Sequence, residues 1–395
     1  MSRDPAGDDH ARALPSRSEE ELRQRQRQGR LRVRIAAEFR QLAATAGLAQ
    51  AYADTDVVVA ANAEFTDQGT LHLGLGPTDP PIRLRDPQLG GIGATAAGAG
   101  GELVLPIGGG LAEGNRRGGA QVLADLLAGR SLPFSAVGEV TPLQPRRELH
   151  TELELGRIGS GRLLLPRGIV ENGIVAVSSA EGVVRSGYGP LLGPFANALF
   201  TCAGADSIGL AMPGLGLLGP GSPVLVGGAL GWVVGSGSAH QPGVRRLPSG
   251  HARSPGAVAA LSVDLHALDP RWLRACFFEG HGSALLVAIA APIPLINDKV
   301  ARQAATPDEE LEAPVLDVSI PRRIKPSFGG VPYSQLRSGQ LQVNGHRVPV
   351  APSHSPQLAA AIATELVTRL QEDRFPLRLP LLPLDSRPAL LPLDA

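Results

Sequence analysis

Apolar residues recur at helical spacing in three parts of this chain, over residues 36–53, 118–129 and 356–372. This period places the apolar side chains on one face, so each segment is predicted to be an amphipathic helix. The first helix is expected to end near Gly47 or to continue to Tyr52, because glycine favours a helix stop.

Strands are predicted where apolar residues run continuously or alternate with polar ones. Residues 56–61 form a continuous apolar run, which is typical of a strand buried on both faces. Residues 338–348 are predicted to form a hairpin around the turn Asn344-Gly345. Further strands are predicted over residues 150–155, 162–165, 173–178, 182–186, 257–264 and 284–291.

Shorter patterns predict the remaining helices. Ser18-Glu-Glu-Glu21 has the capping-box pattern, Pro307-Asp-Glu-Glu is a helix start, and residues 270–276 form a short helix that carries Cys276. Helices and strands are interspersed without a regular βαβ alternation. The predicted fold class is therefore α/β of the mixed α+β type, with glycine-rich mixed sheets and flanking helices.

An uncharged stretch dominates the middle of the chain. Residues 207–244 contain no acidic or basic side chain apart from His240, and glycine and proline recur throughout. A membrane-spanning helix needs about 20 largely apolar residues with a helical backbone. Pro213, Pro220 and Pro223 interrupt the stretch, and each internal proline costs a helix roughly 3 kcal/mol. The stretch is therefore not a membrane span.

The stretch also contains the glycine pattern Gly214-Leu-Gly216-Leu-Leu-Gly219. A dinucleotide-binding loop requires a helix directly after this pattern, whereas a proline-rich turn and a strand over residues 224–226 follow here. We interpret the stretch as an interior segment of turn, strand and strand, where backbone approaches a small ligand. Cys202 lies at its start and His240 near its end.

Composition excludes several functional classes. The 395 residues include 37 basic and 37 acidic side chains, so no net charge attracts nucleic acid or an anionic membrane. Two cysteines provide no disulfide framework and fit a reducing compartment. Residues 1–17 are polar, lack the apolar core of a secretory signal and are predicted to be a disordered tail. We predict a cytoplasmic protein with one domain over residues 18–383 and a proline-rich tail over residues 384–395.

The common catalytic and metal-binding motifs are absent. The histidines and cysteines have no zinc-ligand spacing, so no metal site is predicted, and no phosphate-binding Walker loop occurs. The segment Gly280-His-Gly-Ser283 does not match the Gly-x-Ser-x-Gly pattern of a serine nucleophile. No bound cofactor is predicted.

Charged residues in two segments are candidates for substrate binding. The loop over residues 77–87 carries Asp79 and Arg83, and a later turn is followed by Arg146 and Glu148. Guanidinium groups bind small carboxylates through paired hydrogen bonds. The alternative for both segments is ordinary surface chemistry, with exposed ion pairs.

Three further residues are candidates for catalysis. Cys202 is a candidate nucleophile or sulfur carrier, or else a buried and inert thiol. Cys276, among apolar neighbours, is interpreted as a core residue. His281 lies between two glycines, so that a ligand can approach, and it is a candidate proton shuttle or a simple loop residue.

A set of motifs resembles a known family when taken together and in order. They are residues 54–61, Gly76-x-Thr-Asp-Pro-Pro-Ile-Arg83, residues 118–129, Pro145-Arg-Arg-Glu148, Gly227-Gly-Ala-Leu-Gly231 with His240-x-Pro242, Pro255-Gly-Ala with Asp264-Leu, Gly280-His-Gly-Ser283 with Pro292-Ile-Pro-Leu295, and Tyr333-x-x-Leu-Arg-Ser-Gly339 with Val343-Asn-Gly345. They are similar to the homocysteine biosynthesis (HcyBio) family of sulfur-incorporating proteins. The resemblance covers about residues 30–383.

The resemblance implies an enzyme that builds homocysteine by placing sulfide sulfur on the aldehyde carbon of L-aspartate semialdehyde. In this family a cysteine persulfide delivers the sulfur, and an external reductant, for which an iron–sulfur protein is a candidate, completes the reaction. The family pattern has one cysteine before Thr78-Asp79-Pro80 and another just before the Pro-Arg-Lys-Glu motif. Here residues 62–73 contain no cysteine, and the second position is Leu143. Either Cys202 or Cys276 then takes the role of sulfur carrier, or free sulfide adds directly, or the chain has a different function.

Two hypotheses follow. The first is a sulfurtransferase that acts on a small amino-acid semialdehyde and sulfide, with a homo-oligomer as an open alternative to a monomer. In this hypothesis Arg83 and Arg146 bind the carboxylate of the substrate, and Asp79 or Glu148 binds its ammonium group. His281 protonates the oxygen of the thiohemiacetal, and Cys202 delivers the sulfur. The second is a non-catalytic paralogue that binds a small metabolite or a partner protein, which the missing cysteines motivate.

Overall fold

A computed structural model describes residues 14–98, 100–110 and 116–393. Within these residues the α-helices are α1 Glu19–Arg27, α2 Ala36–Ala46, α3 Leu48–Ala53, α4 Gly119–Leu127, α5 Ile208–Ala211, α6 Asp298–Ala304, α7 Tyr333–Arg337 and α8 Pro356–Gln371.

The strands of the described residues form four sheets. They are β1 Val33–Ile35, β2 Val57–Thr66, β3 Thr70–Leu75, β4 Leu84–Leu89, β5 Ile92–Gly93, β6 Thr95–Ala97, β7 Glu102–Pro106, β8 Leu132–Gly138, β9 Glu148–Leu153, β10 Ile158–Val170, β11 Val175–Val177, β12 Gly182–Ser186, β13 Gly189–Gly193, β14 Ala198–Phe200, β15 Pro223–Val226, β16 Ala229–Ser236, β17 Val258–Asp264, β18 Leu273–Phe278, β19 Gly282–Pro294, β20 Glu312–Asp317, β21 Ser327–Pro332, β22 Gln340–Val343 and β23 His346–Pro352.

The largest sheet has 11 strands in the order β1-β2-β19-β15-β16-β17-β10-β3-β7-β6, with β18 paired to β19. Its strand β2 is buried on both faces, as the continuous apolar run predicts. Val57 and Val59 pack against α8 on one face, whereas Val58 and Ala60 face the main core on the other. The sheet is therefore the central layer of the molecule.

A second sheet has the order β21-β20-β11-β14-β23-β22. The chain crosses to it directly from the large sheet, because β10 ends at Val170 and β11 begins at Val175. The strands β12 and β13 form a separate two-stranded hairpin, and β5-β4-β8-β9 form a four-stranded sheet. The architecture is mixed α/β, which confirms the predicted fold class.

The uncharged stretch is largely interior, as predicted, but it begins with helix α5 and a 3₁₀ turn, Pro213–Leu215, ahead of β15 and β16, and none of its residues lines the candidate cavity described below. A buried carboxylate from outside the stretch holds it. Glu171 is fully buried and accepts hydrogen bonds from the backbone N–H of Gly214 (2.6 Å) and of Ala257 (2.9 Å). The guanidinium of Arg246 forms an ion pair with the same carboxylate. Because a buried charge requires partners, these contacts fix the glycine-rich segment against the end of β10.

Local predictions are mostly confirmed. Ser18 and Glu21 form the capping box of α1, and Asn344 and Gly345 turn the hairpin β22–β23 with positive φ angles of 49° and 79°. The helix predicted over residues 36–53 is divided at Gly47, where φ is 84°. The bounds of the predicted domain and tails stay predictions, and residues 1–13 and 394–395 of those tails lie outside the described residues.

Two helix predictions are wrong. Cys276 lies on strand β18, because residues 273–278 pair with β19 around the turn that carries His281. Tertiary pairing with a neighbouring strand overrides the helical pattern there. Pro307 precedes only a single 3₁₀ turn, Asp308–Glu310, because the chain enters β20 at Glu312.

Candidate functional site

A cavity of about 280 Å³ lies where the large sheet meets the six-stranded sheet. Its walls come from the ends of β2 and β10, the crossing into β11, the tip of the β12–β13 hairpin and the start of β19. The polar residues that line it are Asn62, Glu64, Thr66, Asp67, Gln68, Arg167, Asn172, Tyr188, Thr201, His281 and Ser353. The volume is close to the lower end of the range for small-molecule sites.

Glu64 brings a carboxyl group into this cavity from strand β2. Its Oε1 accepts a hydrogen bond of 2.5 Å from the amide of Asn62. Burial raises the pKa of Glu64 to about 7, although the Asn62 hydrogen bond and the positive charge of Arg167 favour the carboxylate. The group therefore exists in both protonation states near neutral pH, as a general acid or base requires.

Asp67 and His281 are joined by a hydrogen bond at the same cavity. The distance from His281 Nε2 to Asp67 Oδ2 is 2.7 Å, and the side chains are 28% and 37% exposed. The contact joins the turn after β2 to the turn before β19. A Cβ atom on Gly187, at the tip of the β12–β13 hairpin, would lie 2.9 Å from Nε2. The absence of a side chain at Gly187 therefore lets the hairpin close over the imidazole.

Arg167 lies in the irregular part of β10, where the register with β17 shifts between Leu165 and Ile169. Such a bulge redirects side chains, and bulges are frequent beside active sites. One guanidinium nitrogen, Nη1, donates to the carbonyl of Ser238 at 3.0 Å. Among the residues that the structure describes, Arg167 has no carboxylate ion-pair partner, so its other N–H groups are available to an anionic ligand.

Cys202 lies directly behind the cavity wall and does not line the cavity. The side chain is 2% exposed, and a Cβ atom on the lining residue Gly173 would lie 2.4 Å from the Cys202 Cβ. Burial and the charge of Glu64 raise the pKa of the Cys202 thiol to about 11. The structure therefore keeps this thiol protonated near neutral pH, which does not favour the predicted role as nucleophile or sulfur carrier.

Cys276 is half-buried on β18, where its Sγ lies 3.7 Å from the carbonyl oxygen of Arg274. Burial raises the pKa of this thiol as well. Cys276 also lies outside the cavity lining.

The predicted substrate-binding residues lie elsewhere, near the four-stranded sheet. Arg146 donates to the backbone carbonyl of Asp79 at 3.5 Å and to that of Glu148 at 3.0 Å. Arg83 forms an ion pair with Glu139 at 3.3 Å. The structure thus brings Asp79, Arg146 and Glu148 together, but none of the four predicted residues lines the cavity. Their assignment to substrate binding stays a prediction.

A comparison with family models decides the family. The model described as "Homocysteine biosynthesis enzyme, sulfur-incorporation" matches residues 32–377, which is most of the chain. The chain belongs to the HcyBio family.

Two curated proteins with the name L-aspartate semialdehyde sulfurtransferase are similar to this HcyBio chain. The protein of Methanosarcina acetivorans is 29% identical over 372 residues, which cover 93% of this chain and 72% of that protein. The protein of Methanocaldococcus jannaschii is 28% identical over 284 residues, which cover 69% of this chain and 53% of that protein. The match thus spans only about half of the second relative. No solved structure matches the chain.

The HcyBio resemblance gave an indirect signal for the cavity. The resemblance implies a cysteine within the segment 62–73, and Asn62 and residues 64–68 of that segment line the cavity here. Glu64, Asp67 and Arg167 were not among the residues predicted from the sequence to form the site. Glu64 follows an apolar run, and Arg167 is one of many arginines, so neither residue is conspicuous in the sequence.

Residues 14–98, 100–110 and 116–393 contain no group of three or more histidine, cysteine, aspartate or glutamate side chains placed to bind a metal ion. Across these same ranges, no helix is both long enough and apolar enough to span a membrane.

Proposed function

We propose that this HcyBio protein places sulfur on the aldehyde carbon of L-aspartate semialdehyde and gives homocysteine, the reaction class that the names of its two relatives indicate. The overall change consumes one aldehyde, one hydrogen sulfide, two electrons and two protons, and releases one water. The observation that carries the proposal is a small cavity with two kinds of group: a guanidinium, that of Arg167, with no carboxylate ion-pair partner among the described residues, and side chains able to transfer protons.

Arg167 is the residue to which we assign the substrate carboxylate. Its free N–H groups suit the two oxygens of a carboxylate, and a charge-assisted hydrogen bond of this type contributes about 1.5–3 kcal/mol. The earlier candidates Arg83 and Arg146 already contact Glu139 and backbone carbonyls near the four-stranded sheet. The cavity therefore supports Arg167 in their place.

His281 is assigned the proton that the oxygen of the thiohemiacetal needs in order to leave as water. Asp67 accepts the hydrogen bond of the imidazole at Nε2 and orients the ring. The two electrons come from an external reductant, for which an iron–sulfur protein is one candidate. A cytoplasmic location is part of this proposal.

A second candidate function is the binding of a small amino-acid metabolite without turnover. It is favoured by the position of both cysteines outside the cavity lining. The two candidates differ in a single measurement, the formation of homocysteine.

The test is a turnover assay with purified protein, L-aspartate semialdehyde, sulfide and a low-potential chemical reductant, with homocysteine measured by mass spectrometry. We expect formation well above the rate without protein. In Arg167→Met we expect KM for the semialdehyde to rise about 10- to 100-fold, from the loss of one charged hydrogen-bonding partner. Arg162→Met, which removes an exposed guanidinium from the same strand, is the matched control.

Two outcomes of this assay would change the proposal. A wild-type rate no higher than that without protein, together with saturable binding of the semialdehyde, would establish the second candidate. Equal KM values for Arg167→Met and Arg162→Met would remove Arg167 from the site.

A further inference from the structure

The position of the cysteines bears on how sulfur enters the reaction. The complete sequence contains two cysteines, Cys202 and Cys276, and neither lines the cavity. A protein-bound persulfide must place its outer sulfur within bonding distance of the aldehyde carbon. This chain has no thiol in that place.

Cys202 contacts the cavity lining from behind, and its surroundings hold it in the interior. It packs in an apolar cluster with Val175, Phe200 and Tyr333. Its Cβ atom lies directly behind the lining residue Gly173, and the Cys202 side chain does not itself line the cavity. With a thiol pKa of about 11, only about one molecule in ten thousand carries the thiolate at pH 7.

We propose that sulfur reaches the aldehyde directly as hydrosulfide, without a protein-bound persulfide, and that Glu64 transfers the proton of this addition. This inference rests on the proposed function and specifies its sulfur donor. Hydrosulfide is a single heavy atom, so it fits beside an amino acid in a cavity of about 280 Å³.

The addition balances without an oxidant or a reductant. The sulfur of hydrosulfide forms a bond to the aldehyde carbon, the π electrons move to the oxygen, and the Glu64 carboxyl group gives its proton to that oxygen. The product is a thiohemiacetal. The Glu64 carboxylate then takes a proton from the next hydrogen sulfide, which regenerates both the acid and the nucleophile.

The groups around Glu64 fit this exchange. Asn62 and Arg167 favour the carboxylate, whereas burial favours the acid, and the balance places its pKa at about 7. Hydrogen sulfide also loses its first proton near neutral pH, so the driving force for transfer in either direction is small.

Further groups lie around the same carboxyl. Cys202 and Tyr333 lie behind Glu64, and burial raises the pKa of both, so they stay neutral. His354 forms a β-bridge with Glu64, and burial lowers its pKa to about 4, so it is neutral as well. Among the described residues, Arg167 is the charged group that acts on Glu64, and Asp67 with its hydrogen-bonded partner His281 lines the same cavity.

The decisive experiment uses a chain without any thiol, Cys202→Ala with Cys276→Ser, in the turnover assay with sulfide. We expect kcat within about twofold of the wild type. In parallel, the wild type is incubated with polysulfide, which supplies sulfur at the oxidation level that a persulfide requires. After the excess polysulfide is removed, mass spectrometry should show no transfer of protein-bound sulfur to the semialdehyde.

The outcomes separate this inference from the proposed function. If the wild type forms no homocysteine, the proposed function fails first. If the wild type is active and the folded thiol-free chain is not, direct addition is overturned. A wild-type protein that carries an added sulfur and transfers it to the semialdehyde in a single turnover would overturn it as well, and this measurement decides alone if the double variant does not fold.

Glu64→Gln tests the proton role. The variant keeps the size of the side chain but has no transferable proton. We expect kcat to fall at least about 100-fold, the lower end of the contribution of a general acid, and we expect the pH dependence of kcat/KM near 7 to lose one ionisation. A variant with the wild-type pH profile would remove Glu64 from the reaction.

Discussion

Replacing Glu64 with glutamine should change the pH dependence of stability in a way that does not depend on activity. Burial raises the pKa of this carboxyl from 4.5 to about 7 in the folded protein. The folded state therefore binds the proton more tightly than the unfolded state. Because of this difference, the wild type should lose stability as pH rises from about 4.5 to about 7, and it should change little outside that window.

The size of the effect follows from the shift. Each pKa unit corresponds to about 1.4 kcal/mol, so the full difference is about 3 kcal/mol. The wild type has already lost part of this stabilisation at pH 5, so its free energy of unfolding should fall by about 2 to 3 kcal/mol between pH 5 and pH 8. Glutamine has no charge to bury, so the stability of Glu64→Gln should not show this loss. The free energy of unfolding of the variant minus that of the wild type should therefore be larger at pH 8 than at pH 5 by about 2 to 3 kcal/mol.

Urea unfolding at pH 5 and pH 8, with the free energy of unfolding extrapolated to water, measures this difference. Glu181→Gln, at an exposed glutamate, serves as the control and should follow the wild type at both pH values. If Glu64→Gln also follows the wild type in parallel, the cavity does not hold a proton on Glu64. The proton transfer that we assign to Glu64 would then be refuted.

Two other predictions concern the frame of the site. Arg246→Met leaves the buried carboxylate of Glu171 without its cation and should lower the free energy of unfolding by about 3–5 kcal/mol. Arg374→Met, which removes one partner of an exposed ion pair, should lower it by no more than about 1 kcal/mol. Urea unfolding measures both variants, and equal losses would contradict the prediction. Gly187→Ala places a Cβ atom 2.9 Å from His281 Nε2 and should lower kcat roughly 10- to 100-fold. Circular dichroism should show that the fold is intact. A wild-type kcat in this variant would show that the hairpin does not position the imidazole.

The local elements were within reach of the sequence, because short-range contacts determine them. The Asn344-Gly345 turn adopts positive φ angles that few other residue pairs tolerate, and the capping box of α1 uses hydrogen bonds across three residues. The apolar run of β2 likewise predicted a strand buried on both faces. In each case the residues that interact are neighbours in the sequence or repeat with a fixed period.

Strand β18 shows where this reasoning stops. The residues around Cys276 have a pattern compatible with a helix, yet they form a strand because a partner strand lies directly after the turn. Pairing with a neighbour supplies backbone hydrogen bonds that outweigh a weak local preference.

The sequence by itself determined the family resemblance, the mixed fold class and the interior position of the uncharged stretch. Only the tertiary structure decided which charges meet. It joined Glu64, Arg167 and His281 from β2, β10 and the turn before β19, and it left Asp79, Arg83, Arg146 and Glu148 outside the cavity. The physical reason is that burial and distance between charges are properties of the packed chain. A carboxyl group acquires a pKa near 7 only after strands distant in sequence have closed around it.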